Sequence, residues 1–155
     1  MDRFLRVAMH EAARTWLKLS RRELDDIFRA APANSPRSGY ARGTLIIAGP
    51  VAHIFAWLAW LFVWKGKVFQ CDAGDGSGIV INLVTPFGVR SVPGRFYRGE
   101  SWLDRMPSIV IDYSQTSFVA RKVRDEIREV RPGVFLGKVW WRHTRIFDFA
   151  LVQQA

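Results

Sequence analysis

Residues 123 to 130, VRDEIREV, bring together Arg124, Asp125, Glu126, Arg128 and Glu129, and Pro132-Gly133 then leads into apolar sequence. Carboxylates beside bases are the side chains of proton transfer. A carboxyl withdrawn from water holds its proton more tightly, and a raised pKa suits acid–base work near neutral pH. IVIDYS offers the same chemistry, because Asp112 follows an apolar run and adjoins Tyr113, a proton donor with an aromatic body. Each motif also has a plain structural explanation. The charges of 123–130 could form an Arg–carboxylate lattice on the outside of a sheet, and Asp112 could cap the segment that follows it.

Other reactive patterns are missing. His10, His53 and His143 are far apart and match neither an HExxH motif nor a cysteine pair, so no metal is expected. GDGSG at 74–78 lacks the Lys-Ser/Thr of a phosphate loop and the acidic ladder of a calcium loop, which leaves a hairpin turn. No GxSxG occurs, and Cys71 beside Asp72 would have its thiolate disfavoured. No cofactor signature is present.

The secondary structure of 123–130 decides what its charges can do. On a helix, Val123, Ile127 and Val130 make a stripe, but Arg124 repels Arg128 and Asp125 repels Glu129 at i,i+4. On a strand, Val123, Asp125, Ile127 and Glu129 share one face and Arg124, Glu126, Arg128 and Val130 the other, and Pro132-Gly133 makes the hairpin turn. The strand fits better. Neither face is purely apolar, so either choice of inward face carries ionisable groups into the interior.

The elements around it follow from pattern. Residues 2–18 read as an amphipathic helix, and Ser20 with Glu23 reads as a capping box opening a second helix to about Ala30. PANSPRSG is a loop. After Trp64, short β-type segments alternate with turn chemistry through to IFDFALVQ. This predicts an α+β, mainly β fold: an antiparallel, closed or nearly closed barrel of seven or eight strands, with the N-terminal helices packed on or capping it. A chain of 155 residues is expected to form one domain, 1–39 supplying helices and loop and 40–155 the barrel with an inserted apolar helix at about 51–64.

Between Thr44 and Trp64 no charged residue occurs. Gly49-Pro50 divides the run into a strand-like TLIIA and a helix-like segment, each too short to cross a bilayer alone, so a buried strand and packed helix are expected. Trp57, Trp60 and Trp64 would share one stripe if that helix lay on a membrane surface. The 23 Lys and Arg against 14 Asp and Glu attract acidic partners, but no basic run or RNA-recognition signature supports nucleic acid. With one cysteine and no secretory pattern, a cytoplasmic protein is expected, a membrane-peripheral one being the alternative.

At WKGKVF, at GESWLDRMPSIVIDYSQTSFVARKVRDEIREVRPGVFLG and at FDFAL, over roughly the last two thirds of the chain, the sequence resembles small bacterial proteins with a lipocalin-like barrel. Some of these belong to polyketide biosynthesis of the aureothin type. The resemblance implies a cavity for a hydrophobic chain and a role in polyketide cyclisation or chain release. The expected catalytic residues are Asp125, Asp112, Glu126 and Tyr113. Arg124 and Arg128, with Trp64, Trp102, Phe135 and Trp140 as an aromatic wall, are the expected substrate-binding residues. The expected partners are a hydrophobic small molecule and the acidic acyl carrier protein that would deliver it. A non-catalytic lipid carrier and a basic membrane-surface protein are the competing readings.

Overall fold

The computed structural model describes residue 11 and residues 14–47, 64–84, 90–115 and 120–153. Eight strands run in chain order: β1 (Gly39–Ile46), β2 (Trp64–Cys71), β3 (Gly78–Val84), β4 (Arg90–Glu100), β5 (Pro107–Asp112), β6 (Val123–Arg131), β7 (Val134–Trp141) and β8 (Thr144–Gln153). Each pairs antiparallel with the next, and β8 pairs back onto β1. The fold is thus a closed, lipocalin-like antiparallel barrel, mainly β, at the upper end of the expected strand number. Closure leaves no strand edge exposed and lets side chains from opposite walls meet.

The α-helix α1 (Arg21–Ala30) packs on the outside. Its capping box is the expected one: the Ser20 hydroxyl accepts from the Glu23 amide at 3.3 Å, and Glu23 accepts from the Ser20 amide at 2.8 Å. Leu24 and Phe28, one turn apart, are fully buried against Ile46, Val134, Leu136 and Ala150. Each contributes about 1.5–3 kcal/mol by the area it removes from water. Of the expected helix at 2–18, residues 2–10, 12 and 13 lie outside the described residues, Glu11, Arg14 and Thr15 are α-helical, and Trp16–Lys18 form a 3₁₀ turn.

The stretch 123–131 is a strand, joined to β7 through Pro132-Gly133 with Gly133 at φ +74°. GDGSG lies in the turn between β2 and β3, where Asp72 donates its amide to the Ser77 carbonyl. Trp64 requires a correction. It was expected to end an apolar helix, but it is the first residue of β2; residues 51–63 lie outside the described residues.

One end of the barrel is closed by the chain leading from α1 into β1. The Glu129 amide donates to the Pro32 carbonyl, Asn34 to the Glu129 carboxylate, and Ser35 to the Gly76 carbonyl. Strands β1, β3, β5 and β7 end, and β2, β4, β6 and β8 begin, at the opposite end, the mouth. Among the described residues no helix is long and apolar enough to cross a membrane.

Candidate functional site

At the mouth end the interior holds a cavity of about 140 Å³, lined mainly by Leu45, Trp64, Val123, Val139, Phe147 and Phe149, with Lys67, Asn82, Tyr113 and Asp125 as its polar groups. Lys67 Nζ donates to Asp125 Oδ2 at 2.8 Å, to the Tyr113 hydroxyl at 2.7 Å and to Asn82 Oδ1 at 3.2 Å. The Tyr113 hydroxyl in turn donates to Asp125 Oδ2 at 3.0 Å. Three rings surround the ammonium, Trp64, Tyr113 and Phe149, with centroids 5.3, 5.4 and 5.3 Å away.

Local backbone chemistry sets these positions. The ladder shifts register between Trp64 and Gly66, which lets Trp64 and Lys67 both line the cavity although they are three positions apart and strict alternation would put them on opposite faces. Gly66 makes this shift feasible: its φ is +140°, and a Cβ there would lie 2.0 Å from the Ala41 carbonyl oxygen. Gly43 leaves room for the indole of Trp64, since a Cβ would come within 2.4 Å of that ring. Asn82 pairs directly with Lys67 across the β2–β3 ladder and shares its face. Its Oδ1 also accepts from Trp64 Nε1 at 2.5 Å, tying the wall of the cavity to the cation.

A buried charge is tolerated only when it is paired, and Lys67 and Asp125 pair with each other out of reach of water. Burial pushes the Tyr113 hydroxyl well above the usual 10.0 for tyrosine, and the adjacent Asp125 carboxylate pushes it further. Tyr113 is therefore a protonated donor at neutral pH. Aromatic faces turned towards an ammonium stabilise it, most strongly where water is excluded. The site thus presents a cation, a carboxylate and a phenol within one hydrogen-bonded group at the edge of an apolar space.

Of the ten expected site residues, Asp125, Tyr113 and Trp64 meet at this cavity. Phe135 faces the interior core but does not line the cavity. Asp112, Glu126, Arg124, Arg128, Trp102 and Trp140 lie on the outer side of the barrel wall, away from this cavity. The Asp112 carboxylate accepts from the Ser114 amide at 2.7 Å and its hydroxyl at 3.0 Å, the turn-capping role. Glu126 points outward beneath the loop at 101–106 and accepts from Ser101 Oγ, the Trp102 amide and Arg124 Nε at 2.6, 2.8 and 3.0 Å. Arg124 lies over the Trp102 ring, and Trp102 packs edge-on against Trp140.

Arg128 is a structural clamp. Its guanidinium forks onto Asp104 at 2.7 and 2.8 Å and also donates to the Phe28 carbonyl at 3.0 Å, tying the last turn of α1 to the barrel. These outer residues are buried because a helix and a loop cover this side of the sheet, so burial there marks packing between layers.

Lys67 and Asn82 were not anticipated from sequence. The available signal was a lysine inside a β-type segment, two residues before Phe69 and therefore on the same face. Among the described residues no group of three metal-ligating side chains comes together; His143 is exposed, and His10 and His53 lie outside the described residues.

No family profile matches the chain, and no curated protein matches it. Among solved structures, a protein from Thermomonospora curvata superposes with a TM-score of 0.64 at 16% identity, covering 100% of each chain. A likeness at that identity shows a shared fold and nothing about the chemistry.

Proposed function

We propose that the barrel binds an apolar carbonyl compound in the cavity and enolises it without a cofactor, leading to isomerisation or ring closure. The observation that carries this reading is the Lys67–Asp125–Tyr113 group at the edge of the apolar cavity. A substrate carbonyl oxygen entering beside Lys67 and Tyr113 would accept their N–H and O–H. Asp125, relieved of a donor, would take the α-proton, and Tyr113 would return a proton to the enolate oxygen or carbon. General acid–base transfer of this kind is worth roughly 10²–10⁴ in rate, and a preorganised donor on the developing oxyanion about 10²–10³.

Size limits the substrate. A cavity of 140 Å³ takes one ring or the end of a chain, comparable to engineered cavities of about 150 Å³ that hold benzene. A polyketide offering its reactive end is the substrate class that the sequence resemblance supports. The net charge of +9 suits delivery by an acidic carrier protein, and the single cysteine suits a reducing cytoplasm.

The test is exchange of α-protons of small cyclic and aromatic ketones in D₂O, followed by NMR, for the native protein and Asp125→Asn. Exchange by the native protein and its loss in the variant are expected. Equal exchange by both proteins would remove Asp125 from the chemistry. One observation favours a second reading, non-catalytic carriage of a hydrophobic ligand: Asp125 Oδ2 already accepts two donors. A ligand retained stoichiometrically by both proteins, without exchange by either, would establish it.

A further inference from the structure

We propose that Lys67 captures small apolar aldehydes or ketones covalently, as an imine at its Nζ, which deepens the enolisation reading by naming the atom that holds the substrate. Lys67 is the one described lysine that lines the interior cavity; Lys65 lies on the exposed side of β2, Lys122 sits against Trp141, and Lys138 is held by Asp25 outside the barrel. Its Nζ meets a carboxylate and a phenol, both able to carry protons, and the Asn82 amide oxygen, with three aromatic rings around them.

The step balances without an outside reagent. The ammonium of Lys67 first passes a proton to Asp125 along their 2.8 Å hydrogen bond, giving an amine and a carboxylic acid. The amine lone pair adds to the carbonyl carbon, forming the C–N bond, and the electrons of the C=O π bond move to oxygen. That oxygen takes the proton from Asp125, the regenerated carboxylate removes one from nitrogen, and the resulting carbinolamine loses its hydroxyl as water when Asp125 returns that proton. The product is an iminium beside a carboxylate, and nothing is oxidised or reduced.

The electrostatics favour this product. Before reaction the cavity holds one cation and one anion, and afterwards it holds the same two charges, so no uncompensated charge is created in the low-dielectric interior. The rings around the ammonium remain in place to stabilise the iminium. An iminium also acidifies its α-carbon, which places the proton to be removed close to Asp125. The cavity volume of 140 Å³ restricts the class to carbonyl compounds about the size of one ring.

Reductive trapping tests this. The full chain is incubated with benzaldehyde and sodium cyanoborohydride at neutral pH, and each lysine is then quantified by peptide mass spectrometry. Labelling of Lys67 at least about tenfold above Lys18, Lys65, Lys122 and Lys138 is expected, because a held carbonyl reacts at high effective concentration. Lys67→Arg keeps the cation but cannot form an imine, and its thermal melt reports whether it is folded. The folded variant should lose the dominant label and keep only the surface background.

Labelling spread evenly over the lysines, or unchanged total labelling in Lys67→Arg, would overturn the inference. The underlying enolisation reading fails separately. Asp125-dependent α-proton exchange of cyclohexanone without selective trapping overturns the imine and leaves that reading standing. Selective trapping at Lys67 with exchange indifferent to Asp125→Asn supports the imine and removes Asp125 as the base.

Discussion

Lys67 and Asp125 form an ion pair of 2.8 Å across the inside of the barrel, from strands β2 and β6, which stand opposite each other in the ring of eight. A direct bridge between opposite walls is short enough only where the interior is narrow. It divides the interior into a packed lower core around Phe69, Phe96, Ile109, Ile127 and Phe135 and the small cavity at the mouth.

Breaking this pair from either side should be costly. Lys67→Met or Asp125→Leu alone leaves one buried charge without its partner and should lower unfolding stability by about 3–5 kcal/mol. The double variant, with two apolar side chains, should recover most of that loss in urea denaturation, while the proposed α-proton exchange should remain absent. A double variant as unstable as the singles would mean that the pair is retained for structure.

Tyr113 sets an alkaline limit. Its folded pKa lies well above 10.0 through burial and the neighbouring Asp125, so its contribution to stability is complete below pH 10.0 and declines as pH rises towards the folded value. Absorbance titration of the three tyrosines should show Tyr113 ionising only as the protein unfolds, and Tyr113→Phe should flatten the loss of stability above pH 10.

The acid limit belongs to the outer layer. Burial pushes the Asp25 carboxyl up, but Lys138 and Arg145 outweigh it and the net shift is downward; at Asp104, burial is likewise outweighed, by Arg128 together with the Met106 amide and Arg29. Both groups contribute stability that is present above pH 3.8 and lost as pH falls below it. Asp25→Asn should weaken the acid dependence, and hydrogen exchange should locate the change in α1.

Arg128 can separate structure from chemistry. Arg128→Lys loses the two-pronged contact with Asp104 and should cost roughly 1.5–3 kcal/mol in a urea melt. It does not touch the cavity, so reductive labelling of Lys67 in the folded variant should match the native protein. A selective loss of labelling would show that the outer clamp also shapes the site.

Gly43→Ala tests the aromatic wall. Its Cβ would fall 2.4 Å from the Trp64 ring, so the indole must move and its hydrogen bond to Asn82 must break. A stability loss of about 1–3 kcal/mol from overpacking is expected, with altered near-ultraviolet circular dichroism and weaker ligand retention.

Much of the scaffold was legible in the residues. Ser20 and Glu23 announced a helix start because a hydroxyl and a carboxylate three residues apart satisfy free amides locally. The like charges at i,i+4 argued against a helix at 123–130, and Pro132-Gly133 supplied the hairpin, so that segment's strand assignment needed only neighbours in sequence. Asp125 and Tyr113 were recognisable as proton-transfer groups by type. The inward face of β6 was not legible. Alternation separates Asp125 and Ile127 from Arg124, Glu126 and Arg128, but residues 125–128 are all buried because α1 and the loop at 101–106 cover the outer side. With both faces withdrawn from water, the usual contrast between an apolar and a solvated face disappears. Lys67 is 58 positions from Asp125 in the chain. No local pattern could join them: only closure of the sheet, with the register shift beside Gly66, places that ammonium against that carboxylate.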